Sequence, residues 1–189
     1  MTRSGRSALI IVDMQIDFMP GGALAIAEGD RLVPSINTLA HAGFGAVVAT
    51  KDWHPADHCS FRDHGGPWPA HCIAGSRGAD LCPGLDPRPV THVLHKGLHA
   101  DCDSYSAFFD NDHVRSTGLT GLLRDLSVDH VVVCGVALDY CVAATARDAV
   151  AEGFRTTVAS YACRGVAPDP TAALAALREG GVEIVGSAA

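Results

Sequence analysis

HVVVCGVALDYCVAATARDAVAEG, residues 130–153, decides how the rest of the chain is read. Its first half is a short apolar run rich in β-branched residues, as a strand buried on both faces requires. After Asp139 the pattern changes to an alanine-rich helical one over 140–153, stopped by Gly153. A strand feeding directly into a helix is half of a parallel βαβ unit. If Asp139 caps that helix, Cys141 lies in its first turn. There, free N–H groups and the positive helix end would lower a thiol pKa from about 8.5 into roughly 3.5–7.5. The same N–H groups could receive the oxyanion formed when that thiolate attacks a carbonyl.

Similar apolar segments recur at 8–12, 46–50, 90–95, 155–160 and 182–185. Helical patterns at 30–43, 118–128 and 169–181 precede three of the strands. Such alternation predicts an α/β fold, a parallel sheet with helices on both faces. Two stretches break the rhythm, from Lys51 to about Arg88 and over 97–111. Long irregular segments in a compact domain are usually functional, and ligands of open parallel sheets sit beyond the carboxyl ends of the strands.

At those ends lie Asp13, Lys96 and Cys141. Singly, Asp13 reads as a loop-entry carboxylate and Lys96 as a solvated charge, while Cys141 reads equally as a small buried hydrophobe. Together they give a base, a cation and a nucleophile on one sheet edge. Within KDWHPADHCSF (51–61) and GPWPAHC (66–72), Asp52, His54 and His71 make a two-histidine, one-carboxylate set for a divalent transition metal, with His58 as an additional candidate. Phe18, Trp68 and Tyr105 could wall a pocket or close small clusters under the loops; the sequence leaves both open.

The 189 residues fit one domain, and 48 % hydrophobic against 19 % charged residues is ordinary for a globular protein. A formal charge of −7 with no basic tract argues for a small-molecule partner rather than nucleic acid or membrane, and homo-oligomer formation stays open. The apolar run before Asp13 is too short for a signal peptide, and no run reaches membrane-spanning length, so the expected location is cytoplasmic. Seven cysteines without a CxxC pair predict reduced thiols rather than a disulfide framework.

Taken in order, ALIIVDMQIDFMPGGALAI (8–26), KDWHPADHCSF, PWPAHC, HKG (95–97), DSYSAFFDN (103–111) and GVALDYCV (135–142) resemble the nicotinamidases and pyrazinamidases of the isochorismatase-like cysteine hydrolase family. The resemblance implies one isochorismatase-like hydrolase domain over 1–189, a Rossmann-like three-layer sandwich with a six-stranded parallel sheet. It implies a catalytic triad of Asp13, Lys96 and Cys141, and metal ligands Asp52, His54 and His71 holding one divalent ion (Zn²⁺, Fe²⁺ or Mn²⁺). His58 is the nearest match to a fourth histidine ligand that some members use. The oxyanion hole would be the amides of Ala137 and Cys141, with a non-proline cis peptide at Val136–Ala137. Phe18, Trp68 and Tyr105 would hold the ring of a small aromatic amide. The implied reaction converts nicotinamide, and pyrazinamide with it, to the acid and ammonia through a Cys141 acyl-thioester, in NAD salvage.

Rival readings are a sister amidase acting on a carbamoyl or ureido substrate, a non-haem iron oxygenase, and a thiol-rich metal or redox module using Cys59, Cys72, Cys82, Cys102 and Cys163. The first keeps the triad but does not call for the Asp52, His54 and His71 set.

Overall fold

The computed structural model describes residues 6–186. Six strands form one parallel sheet: β1 (Arg6–Val12), β2 (Ala46–Asp52), β3 (His92–Lys96), β4 (Val128–Val136), β5 (Arg155–Arg164) and β6 (Glu183–Val185). The helices are α1 (Val33–Ala40), α2 (Leu119–Asp125), α3 (Ala143–Ala151) and α4 (Thr171–Glu179). Strand order is β3-β2-β1-β4-β5-β6. The crossover from β1 to β2 runs toward one edge, whereas those into β4, β5 and β6 run toward the other. Right-handed connections therefore put α1 on one face and α2, α3 and α4 on the opposite face. This is the three-layer α/β sandwich expected from the alternating pattern.

The core is the sheet itself. Leu9, Ile10, Ile11, Val131 and Val133 are fully buried, because β1 and β4 are central strands covered on both faces. Between them the strand order reverses, and the crevice at such a point is where open α/β sheets bind ligands. Gly135, in β4, pairs with Val12 of β1: its φ is +114°, and a Cβ there would collide with the Val12 backbone.

Several boundaries differ from the sequence expectation. The predicted helix over 30–43 is a short 3₁₀ turn, Gly29–Leu32, followed by α1, and β5 continues to Arg164 rather than ending near 160. The predicted helix over 140–153 begins as a π-helical turn, Leu138–Val142, before α3. Asp139 lies inside that turn and does not cap it. Its carboxylate instead accepts the amides of Val166 and Ala167 at 2.9 and 2.8 Å, tying down the segment after β5. Local spacing could not foresee an acceptor role 27 residues away.

Candidate active site

Four strand ends meet at the switch point. Asp13 follows β1 in a left-handed conformation, φ +49°, which aspartate tolerates better than most residues. Asp52 ends β2 and Lys96 ends β3, directly paired in register. Cys141 follows β4 in the π-helical turn. The sheet ladder thus holds three of the four groups within one residue of a hydrogen-bonded strand.

Lys96 is 1 % exposed, an extreme for a lysine, and carboxylates account for it. Its Nζ lies 2.9 Å from Asp13 Oδ2, hydrogen-bonds Asp52 Oδ1, donates to the Ser104 carbonyl at 2.9 Å, and sits 3.6 Å from Cys141 Sγ. Burial opposes its charge, but Asp13 and Asp52 outweigh that and hold its pKa well above the usual lysine range. Asp13 Oδ1 accepts the Thr50 hydroxyl at 2.6 Å, whereas Oδ2 is buried without a hydrogen bond despite its ion pair with Lys96. An oxygen of Asp13, one of Asp52 and the Cys141 sulfur lie within 4.8 Å of one another.

Burial pushes the Asp13 carboxyl up to about 6 against the pull of Lys96. Asp52 goes the other way: burial would raise it, but Lys96, His54 and His71 hold it far below the carboxylate range. The expectation of an acidified Cys141 thiol is overturned. Burial raises its pKa well above the usual thiol value; Lys96 opposes this, while Asp13 and Asp52 add to it. Desolvation is the largest influence on the thiol, and the two carboxylates act in the same direction. Cys141 therefore rests as a thiol beside a carboxylate that can take its proton.

The second side of the pocket is built on the long loop. Donor atoms of Asp52, His54 and His71 lie within 4.8 Å of one another, all three residues buried. The His54 and His71 Nδ1–H groups donate to the carbonyls of Gly97, at 2.9 Å, and Pro69, at 2.8 Å. Those bonds turn both Nε2 lone pairs toward Asp52 Oδ2, at 3.6 and 4.0 Å. Carbonyl-oriented imidazoles facing a carboxylate are what a divalent transition metal requires, so the donor set fits such an ion. His58 differs: its ring stacks on His54 with centroids 4.0 Å apart, and its close group is with His54 and Asp103 instead.

Above both sides lies one pocket, lined among others by Phe18, Trp68, Tyr105, Ala137 and Cys141. Trp68 Nε1 donates to the Tyr105 hydroxyl at 3.1 Å, so the two aromatic residues brace each other. The Val136–Ala137 peptide is cis, as the resemblance implies. The pocket that the sequence left open for Phe18, Trp68 and Tyr105 is thus formed.

A family model, described as the isochorismatase domain, matches residues 7–189. The chain belongs to the isochorismatase family. Among relatives of this isochorismatase-family chain, the nicotinamidase/pyrazinamidase of Mycobacterium tuberculosis is 44 % identical over 184 residues, covering 94 % of this chain and 97 % of that one. PnC1 from L. infantum, solved in complex with nicotinate, superposes with a TM-score of 0.93 at 44 % identity, covering 96 % of this chain and 93 % of that one. The pyrazinamidase of Pyrococcus horikoshii, solved in complex with zinc, gives 0.85 at 41 % identity, covering 96 % and 99 %.

Sequence reasoning missed several supports of this family site. Gln15 is fully buried; its amide donates to the Asp52 and Ala79 carbonyls and accepts the Asp52 amide, clamping the end of β2. Thr50 binds Asp13, and Ser104 gives its carbonyl to Lys96. Tyr140 also lines the pocket, edge-on to Trp68 and Tyr105. Gln15 and Thr50 lie beside strand ends and Tyr140 precedes Cys141, so proximity was the available signal. None could be assigned without the fold. Among the described residues Cys141 is the one cysteine in any candidate metal group, and all seven cysteines are free thiols.

Proposed function

We propose that this chain hydrolyses the carboxamide of nicotinamide, and of pyrazinamide, through a covalent Cys141 intermediate. The observation that carries the proposal is the buried Lys96 ammonium, bridging Asp13 and Asp52 and 3.6 Å from Cys141 Sγ, with Asp52 and Cys141 lining an aromatic-walled pocket. A flat aromatic amide suits walls of Phe18, Trp68 and Tyr105. The relatives named nicotinamidase or pyrazinamidase support the substrate.

Asp13 is the general base. With a carboxyl near 6 it is ionised at neutral pH yet basic enough to move protons. It takes the Cys141 proton as sulfur attacks the carboxamide carbon, forming the C–S bond and an oxyanion. The Ala137 and Cys141 amides are the donors for that oxyanion. Asp13 returns the proton to the departing nitrogen, ammonia leaves, and an acyl-thioester remains. Water attacks the thioester with Asp13 taking its proton; the acid leaves and the thiol recovers a proton. Lys96 keeps Asp13 anionic between steps and stabilises negative charge on sulfur.

Asp52, His54 and His71 would hold one divalent ion, Zn²⁺, Fe²⁺ or Mn²⁺, whose chemistry is that of a Lewis acid able to orient the ring nitrogen. Metal removal is then expected to raise KM more than it lowers kcat; an unchanged KM with abolished turnover would sink this role.

The decisive assay measures ammonia and nicotinate release from nicotinamide by wild type and by Cys141→Ala. Turnover by wild type alone supports the reaction and its nucleophile. Turnover by both variants discards the covalent route. Silence from folded, metal-loaded wild type moves the chain to the sister amidases of carbamoyl or ureido substrates.

A further inference from the structure

The three histidines near Asp52 are not wired alike. In His54 and His71 the Nδ1–H donates to a carbonyl, which frees the Nε2 lone pair. In His58 the polarity is reversed. Its Nδ1 accepts the backbone amide of Ser60 at 3.3 Å, with the Ser60 hydroxyl 2.7 Å away. A backbone N–H can only donate, so Nδ1 carries the lone pair and, in the neutral ring, Nε2 carries the hydrogen. That Nε2 is buried with no hydrogen-bond partner among the described residues. A protonated nitrogen cannot ligate a cation.

Next to it is a group with the opposite property. Asp103 lines the pocket together with Asp52 and His71 and is half-buried. Its Oδ1 accepts the Ser104 amide at 2.8 Å, and the hydrogen bonds of the described residues leave Oδ2 unused. An Asp103 oxygen lies within 4.8 Å of ring nitrogens of His54 and His58, while the Asp52, His54 and His71 group closes without it. It thus stands one step outside the inner set, on the His58 side, with a free anionic oxygen.

We infer that Asp103, and not His58, is the fourth protein group serving the metal, reaching the ion through a metal-bound water. His58 is a positioning residue: its ring backs His54. This rests on the metal reading of Asp52, His54 and His71. A second carboxylate would balance the charge of a divalent ion in a largely dry site, and outer carboxylates commonly change metal affinity by about 10- to 100-fold.

The test is Zn²⁺ affinity by competition with a chromophoric chelator, for wild type, Asp103→Asn, Asp103→Glu, His58→Asn and His54→Ala, with thermal unfolding of each metal-free variant to establish that it folds. Asp103→Asn is expected to weaken binding about 10- to 100-fold, with partial recovery in Asp103→Glu, while His58→Asn, which keeps an acceptor for the Ser60 amide, stays within about threefold. In the zinc-loaded protein, ¹⁵N NMR should still show the His58 Nε2 proton. Unchanged affinity in Asp103→Asn, or loss of that proton on zinc binding, overturns the inference while leaving the metal site intact. Equal, negligible binding by wild type and His54→Ala would instead overturn the metal reading, and this inference with it.

Discussion

The pocket has two sides built on different principles. The nucleophile side consists of strand ends: Asp13, Asp52, Lys96 and Cys141 follow or terminate β1, β2, β3 and β4, and the sheet ladder sets their spacing. The histidine side hangs on the irregular stretch after β2, where a few main-chain bonds do the same work. His54 is held by the Gly97 carbonyl, and its own N–H and C=O pair with Cys72 and Ala74; His71 is held by the Pro69 carbonyl. The lesson is one of tolerance. Charge and burial make the first side unforgiving of chemical change, whereas the second depends on local backbone that a single methyl group can disturb.

The largest effect belongs to the nucleophile side. Cys141→Ala should lower kcat/KM for nicotinamide by roughly 10⁴-fold or more, because a covalent route has no substitute for its nucleophile. Its folding transition should barely move, and a small kinetic loss in steady-state ammonia release would break the contrast drawn here.

Lys96→Met tests the charge balance of the same side. Removing the ammonium leaves Asp13 and Asp52 facing each other in a dry site, and breaking a buried ion pair from one partner costs about 3–5 kcal/mol. Urea unfolding should report a loss of that order; a near-neutral result would show that water enters this side freely.

Asp13 sets the pH dependence. As the proposed general base Asp13 must be ionised, and its carboxyl is raised to about 6, so it is protonated below that value. The kcat/KM profile should be level above about pH 7 and approach a tenfold fall per pH unit below about pH 5. An acid limb near pH 4 would place the base elsewhere.

The histidine side is probed through a glycine. Gly97 has φ +64°, and a Cβ there would collide with the His54 ring. Gly97→Ala should displace that ring and weaken Zn²⁺ binding about tenfold by chelator competition, with the unfolding transition lowered modestly. Unaltered affinity would mean the loop adjusts more freely than its hydrogen bonds indicate. The smallest effect is expected from Tyr105→Phe, which removes the acceptor of Trp68 Nε1; KM should rise only severalfold, as suits one hydrogen bond of about 1 kcal/mol.

Much of this was legible from residue order. The apolar runs and their alternation with helical patterns predict the parallel sheet, because strands buried on both faces must be apolar throughout. The type and position of Asp13, Lys96, Cys141, Asp52, His54 and His71 point to one edge before any coordinates, since each lies at or just past the end of a predicted strand or in the loop leaving it. What failed depended on long-range partners. Asp139 looked like a cap and is instead an acceptor for Val166 and Ala167. Cys141 looked acidified, yet burial, with the carboxylates packed beside it adding to the effect, reverses the shift.

The sequence by itself determined the fold class, the inventory of reactive groups and their placement at the carboxyl edge of the sheet. These are properties of local pattern, and hydrophobic periodicity and strand termini are local. Only the tertiary structure decided the direction in which the Cys141 thiol is shifted, the accommodation of a buried lysine and the orientation of the His54 and His71 imidazoles. Those depend on desolvation and on partners brought from 37 to 45 residues away, such as Thr50 for Asp13 and Cys141 for Lys96. Electrostatic energies in a dry site are set by distance in space, and chain spacing carries no record of it.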